Sequence, residues 1–105
     1  MIDTLHFTYH KEGSFNRSLT VYALSTCGHC KRAFRFLEEE QIPYRYIYVD
    51  QLPSEVKDNL KELLHSKYRE AVRFPFLVID DEKVVTGFIK REWQTALGRE
   101  DLCNV

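Results

Sequence analysis

No stretch of this sequence stays apolar for the ~20 residues that a membrane-spanning helix requires. The opening "MIDTLHFTYHKEGSF" has neither the basic start nor the continuous apolar middle of a secretory signal. Charge of one sign is also missing, since 15 Lys and Arg stand against 16 Asp and Glu. A nucleic-acid or membrane-surface partner would ask for a clear basic excess, so neither is expected. There is little glycine (4) or proline (3), and no low-complexity segment, linker or internal repeat. Three cysteines, an odd number, fit poorly with a secreted scaffold held by disulfides. These absences leave a single cytoplasmic domain, expected as a monomer, of a length that builds one core.

The hydrophobic pattern gives the order of elements. "LTVYALS" (Leu19 to Ser25) is a short run of strand formers. Cys30, Ala33, Phe34 and Leu37 then recur at helical spacing, ending near Gln41 because Ile42-Pro43 disfavours helix. "YRYIYVD" (Tyr44 to Asp50) alternates as a second strand. Val56, Leu60, Leu63, Leu64 and Tyr68 mark a second helix. "FPFLVIDDEKVVTGF" reads as two strands around a turn at Asp80-Asp81-Glu82. Ile89, Trp93, Ala96 and Leu97 mark a third helix, stopped by Gly98. The order β-α-β-α-β-β-α predicts an α/β fold: a mixed four-stranded sheet with helices on both faces. Residues 18–98 form the core, and 99–105 a polar tail with Cys103 as a bystander. Residues 1–17 are an N-terminal extension that could add one more strand, from the alternating Thr4 to Tyr9.

The chemistry concentrates in Cys27-Gly28-His29-Cys30, where the first strand passes into the first helix. The first turn of a helix offers N–H groups without helical partners and a partial positive charge, which stabilise a thiolate at Cys27. Gly28 lets a disulfide approach the backbone. His29 and Lys31 add positive charge beside the sulfur. Cys30, one turn on and on the apolar face, is placed to attack a mixed disulfide formed at Cys27. A zinc site needs about four ligands in close pairs, whereas only Cys103, His6, His10 and His65 remain, scattered; no metal is expected. An inert buried pair is the other alternative. A C-x-x-C within a β-α-β pattern is the expected setting of a redox dithiol.

"VYALSTCGHCKRAFRFLEEEQIPYRYIYVD" followed by "RFPFLVIDDEKVVTGF" resembles a glutaredoxin, within the thioredoxin superfamily. Four features carry the likeness: the C-x-x-C pair, the Ile42-Pro43-Tyr44 turn, a proline opening the third strand, and a glycine closing the fourth. The resemblance implies a dithiol–disulfide oxidoreductase of thioredoxin/glutaredoxin fold, with Cys27 as nucleophile and Cys30 as resolving cysteine. It implies a cis bond before Pro75, and a substrate-binding edge of Arg73, Phe74, Pro75, Gly87 and Phe88. No bound cofactor is implied. The disulfide formed would be recharged by glutathione, another small thiol or an upstream reductase, and the partners would be disulfide-containing proteins or small thiols.

The sequence departs from that pattern at three places. Leu24 stands where glutaredoxins often carry a basic residue, and "TGFIKR" stands where Gly-Gly-x-Asp-Asp is typical. The residues between the cysteines are Gly-His, not Pro-Tyr. The alternatives are a dedicated electron donor to an enzyme such as ribonucleotide reductase, or a thioredoxin-fold module that binds a metal or a partner without turnover.

Overall fold

The computed structural model describes residues 5–99. Five strands form one sheet: β1 (Thr8–His10), β2 (Leu19–Ala23), β3 (Tyr44–Tyr48), β4 (Phe76–Ile79) and β5 (Lys83–Thr86). Three helices accompany them: α1 (Gly28–Glu39), α2 (Ser54–Tyr68) and α3 (Lys90–Ala96). The strand order is β1-β3-β2-β4-β5, with β2 and β3 parallel and every other pair antiparallel. The N-terminal strand therefore does join the sheet. It is shorter than the alternation suggests and pairs Thr8 with Tyr46 and His10 with Tyr44; Thr4 lies outside the described residues.

Strand β2 is central, and all five of its residues are buried. Its alternate residues serve two cores, as the period of two requires. Leu19, Val21 and Ala23 pack with Leu77, Ile79, the apolar stripe of α1 and Trp93 of α3. Tyr22, Phe76 and Val78 face the other way, onto Leu60 and Leu64 of α2. Helices α1 and α3 thus cover one face and α2 the other.

Helix α1 ends two residues before the expected Gln41, for a local reason. Gln41 turns into the left-handed region at φ 57°, and Ile42 N–H donates back to Leu37 O at 2.9 Å, a Schellman closure. Pro43 then starts the run into β3. The same turn holds the N-terminal extension: Ser14 N–H donates to Gln41 O at 3.0 Å. Gly13, at φ 93°, passes so close that a Cβ there would lie 1.9 Å from that oxygen. Gly98, at φ 68°, ends α3 as expected, with Arg99 N–H bonded to Gln94 O at 2.7 Å.

The last two residues expected in β3, Val49 and Asp50, instead belong to a 3-10 turn (Val49–Gln51). Among the described residues, no helix is long and apolar enough to cross a membrane.

Candidate active site

The pairing register assembles the site at one end of the sheet. Tyr22 of β2 pairs with Phe76 of β4, so the chain leaving β2 toward Cys27 runs beside the chain entering β4 at Pro75. Thr86 of β5 pairs with Phe76, which brings the β5–α3 turn to the same end. Segments far apart in sequence meet there.

Cys27 is the N-cap of α1, with extended backbone (φ −90°, ψ 117°). Its Sγ accepts the N–H of Cys30 at 3.2 Å, filling the place that a serine or aspartate oxygen takes in an ordinary cap. Any negative charge on that sulfur is thus met by a backbone donor and by the positive end of the helix. Cys27 is partly exposed, whereas Cys30 has no exposed surface. Burial, reinforced by its neighbour Cys27, pushes the Cys30 thiol up to about 12. The two sulfurs are therefore unlike: one is capped and reachable, and the other is enclosed and held as a thiol.

The remaining predicted residues fall into distinct groups. Gly28, His29 and Lys31 are exposed on the first turn of α1. His29 Nδ1 lies 2.6 Å from an Arg32 guanidinium nitrogen and, since arginine only donates, accepts from it. Arg32 and Lys31 bring positive charge to that turn.

The Phe74–Pro75 peptide is cis, and Pro75 is buried. Gly87, at φ 71°, donates its N–H to Pro75 O at 2.8 Å and accepts the indole Nε1–H of Trp93, also at 2.8 Å. Trp93, fully buried, thereby ties α3 to the loop that carries Gly87. Phe88 stacks edge-on against Trp93 (5.1 Å between centroids) and tilts against Phe36 (5.9 Å), so much of its ring serves packing. Phe74 is half-buried, and Arg73 is exposed in the loop before it.

One element escaped the sequence reading. Asp50 accepts from both Ser25 N–H (2.9 Å) and Ser25 Oγ–H, gripping the chain two residues before Cys27. These bonds, the hydroxyl's first, hold the Asp50 carboxyl below its ordinary value. Nothing in the sequence marks a serine and an aspartate 25 positions apart as partners; only the parallel pairing of β2 with β3 joins them. Glu38 Oε2 accepts the buried Tyr44 hydroxyl at 3.0 Å, another contact that no local pattern marks. Tyr44, Tyr46 and Tyr48 stand around Phe34 as packing, with centroid distances of 5.4, 5.0 and 6.3 Å. Among the described residues, no group of three or more His, Cys, Asp or Glu is arranged to hold a metal; Cys103 lies outside them.

Comparisons with known proteins agree with this geometry. No curated protein matches the chain in sequence. Among solved structures it is similar to the methanoredoxin of Methanosarcina acetivorans, at 30% identity and a TM-score of 0.74, over 87% of this chain and 95% of that one. The glutaredoxin of Methanosarcina mazei Go1 aligns at 27% identity and a TM-score of 0.72, over 88% and 87%. A glutaredoxin of Archaeoglobus fulgidus aligns at 32% identity and a TM-score of 0.67, over 81% and 89%. The thioredoxin/glutaredoxin fold is thus established, and with it a function of the thiol-oxidoreductase type. The glutaredoxin family model matches residues 19–84, which span the dithiol, the cis-proline and most of the sheet, and the chain belongs to the glutaredoxin family.

Proposed function

We propose that this protein reduces disulfides of proteins or small molecules through Cys27 and Cys30. The observation that carries the reading is the asymmetry of the pair: a partly exposed Cys27 sulfur capped by the Cys30 N–H, over a fully buried Cys30. The Cys27 thiolate attacks one sulfur of the substrate, forming a Cys27–substrate disulfide and expelling the other sulfur as a thiolate. The Cys30 thiol then loses its proton to solvent or to the departing group and attacks Cys27 Sγ. That step forms the Cys27–Cys30 disulfide and releases the second substrate thiolate. Two electrons pass from the dithiol to the substrate, and an external thiol or reductase must return them.

In the reduced pair, burial first and the neighbouring Cys27 second hold the Cys30 thiol up at about 12.

We take Gly28, His29 and Lys31 to support the thiolate and the approach of substrate, and Arg73, Phe74, Pro75, Gly87 and Phe88 to form the edge that receives it. The unit acts as a monomer in a reducing cytoplasm, without a bound cofactor. Leu24, Ile89 and Lys90 stand where glutaredoxins typically hold the two ends of glutathione, which favours a reductase, or a small thiol other than glutathione, as the donor. The test is to follow reduction of the oxidised protein by glutathione with glutathione reductase, and by thioredoxin reductase, each driven by NADPH. Reduction by thioredoxin reductase with little by glutathione is expected. A protein whose Cys27–Cys30 disulfide cannot be reduced by any thiol, or whose Cys27→Ser variant keeps full disulfide-reducing activity, overturns the reading.

A further inference from the structure

The charges of the described residues are arranged unequally about the sheet. Both ion pairs among them, Arg17–Asp80 (2.8 Å) and Lys67–Asp81 (3.0 Å), lie at the β4–β5 turn, opposite the dithiol. At the dithiol end, cations arrive from four separate elements: Lys31 on α1, Lys61 on α2, Arg73 before Pro75 and Lys90 opening α3. None of the four is ion-paired among the described residues. Lys61 sits over the Phe74 ring, 5.9 Å from its centroid, so one cation is fixed against the aromatic residue preceding the cis-proline. The positive end of α1 opens onto the same region.

Apolar surface lies among these charges. Ile89 is 58% exposed, one of two large hydrophobic side chains that are so exposed among the described residues, and it adjoins Phe88 at the β5–α3 turn. Carboxylates stand mainly on the α2 side: Asp50, held by Ser25 and kept ionised by those bonds, Glu55 and Asp58 on the first turns of α2, and Glu62 beside Lys61. Glu92 lies on α3. The surface running from α1 across the cis-proline loop to α3 is left with unpaired cations around an aromatic and aliphatic strip.

From this we infer that the partner engaged at Cys27 is an acidic polypeptide segment, with carboxylates flanking the reacting disulfide and an apolar residue that settles on Phe74 and Ile89. The inference rests on the oxidoreductase reading and narrows it to a substrate class. A polypeptide is favoured over a small anionic thiol by breadth: four cations on four elements, with an apolar strip among them, exceed what one or two carboxylates on a small molecule can meet. Unpaired cations around a reaction centre raise the encounter rate with anionic partners and lower it with cationic ones, by ~10-fold or more at low salt. The Debye length of ~10 Å at 0.1 M predicts that most of this disappears in concentrated salt.

The test uses the whole chain, reduced at Cys27 and Cys30. Three peptides share one disulfide and one leucine and are flanked by glutamates, glutamines or lysines; a small anionic disulfide and its neutral amide are run beside them. Single-turnover oxidation of the protein is followed by mass spectrometry at 20 mM and 500 mM NaCl. The expected result is a rate order of glutamate, glutamine, lysine, spread over ~10-fold at low salt and merging at high salt. Lys61→Glu with Lys90→Glu should reverse that order, while the salt dependence of the unaltered chain tests the inference without any variant. Equal rates for the three peptides at low salt overturn it, with disulfide reduction itself intact. A charge preference confined to the small disulfides also overturns it, since the surface would then serve a small thiol. If no peptide is reduced in any salt, the oxidoreductase reading itself fails.

Discussion

The two ends of the sheet use similar residue types to opposite effect. At the β4–β5 turn, Asp80 accepts from Ser18 N–H (2.9 Å) and Arg17 (2.8 Å), while Asp81 accepts from Tyr68 (2.7 Å) and Lys67. Both carboxyls are held below their ordinary values, Asp80 chiefly by the Ser18 N–H and Asp81 chiefly by the Tyr68 hydroxyl. At the dithiol end the cations are unpaired and a sulfur takes the place of a capping oxygen. One end uses its polar groups on itself; the other keeps them for something that arrives. Substitutions at the first end should therefore alter stability and not rate, and those at the second should do the reverse.

The sharpest form of that contrast is Cys27→Ser, expected to abolish turnover while the urea unfolding midpoint stays close to that of the unaltered protein. Cys30→Ser should instead stop after the first step and accumulate a covalent Cys27–substrate adduct visible by mass spectrometry. Failure to trap any adduct would remove Cys30 as the resolving group.

Trp93 deliberately crosses the two categories, because its indole holds Gly87, which holds Pro75. Trp93→Ala should cost ~3–5 kcal/mol in denaturant unfolding. Trp93→Phe should cost ~1–3 kcal/mol by orphaning the Gly87 carbonyl, with kcat/KM lowered as well. Asp50→Asn tests the Ser25 grip: a donor would replace one of the two acceptor oxygens, and kcat/KM should fall ~10-fold as the Cys27 turn loosens, with little change in the unfolding midpoint.

The pH dependences separate the ends further. Cys30 binds its proton more tightly folded than unfolded, so its contribution to the stability of the reduced protein is complete below the ~8.5 of an unfolded thiol. That contribution is lost as pH rises toward about 12. Thermal melts of the reduced protein should fall more steeply above pH 9 than those of Cys30→Ser. Asp80 and Asp81 work in the opposite sense. Their contribution is present above the ~3.9 of an unfolded carboxyl and is lost as pH falls below it, so Asp80→Asn should flatten the acid side of the melting profile. The smallest effect is expected from Arg17→Ala, which removes one partner of a solvent-screened exposed pair, with no change in turnover; a measurable rate defect there would break the division between the two ends.

The dithiol was legible because its signal is local. Cys27, Cys30 and the change from strand to helical period lie within one short stretch, and helix-end electrostatics act over a single turn. Trp93 was legible as an anchor from its spacing on α3, though its bond to Gly87 was not. The Ser25–Asp50 grip, the Tyr44–Glu38 bond and the acceptor role of His29 Nδ1 were missed. Each depends on where a side chain lands after the backbone has been placed.

By itself, the sequence determined which segments become strands and helices, where α1 begins, and that one thiol would be capped and the other buried. Those outcomes follow from period, proline and the unsatisfied groups of a helix start. Tertiary structure decided which distant segments share an end of the sheet. The parallel β2–β3 register brought Asp50 to Ser25, and the antiparallel β2–β4 and β4–β5 registers brought Pro75 and Gly87 together. The backbone of Gln41 set Gly13. Long-range pairing is chosen by the joint burial of two cores, a property of the whole chain that no local pattern contains.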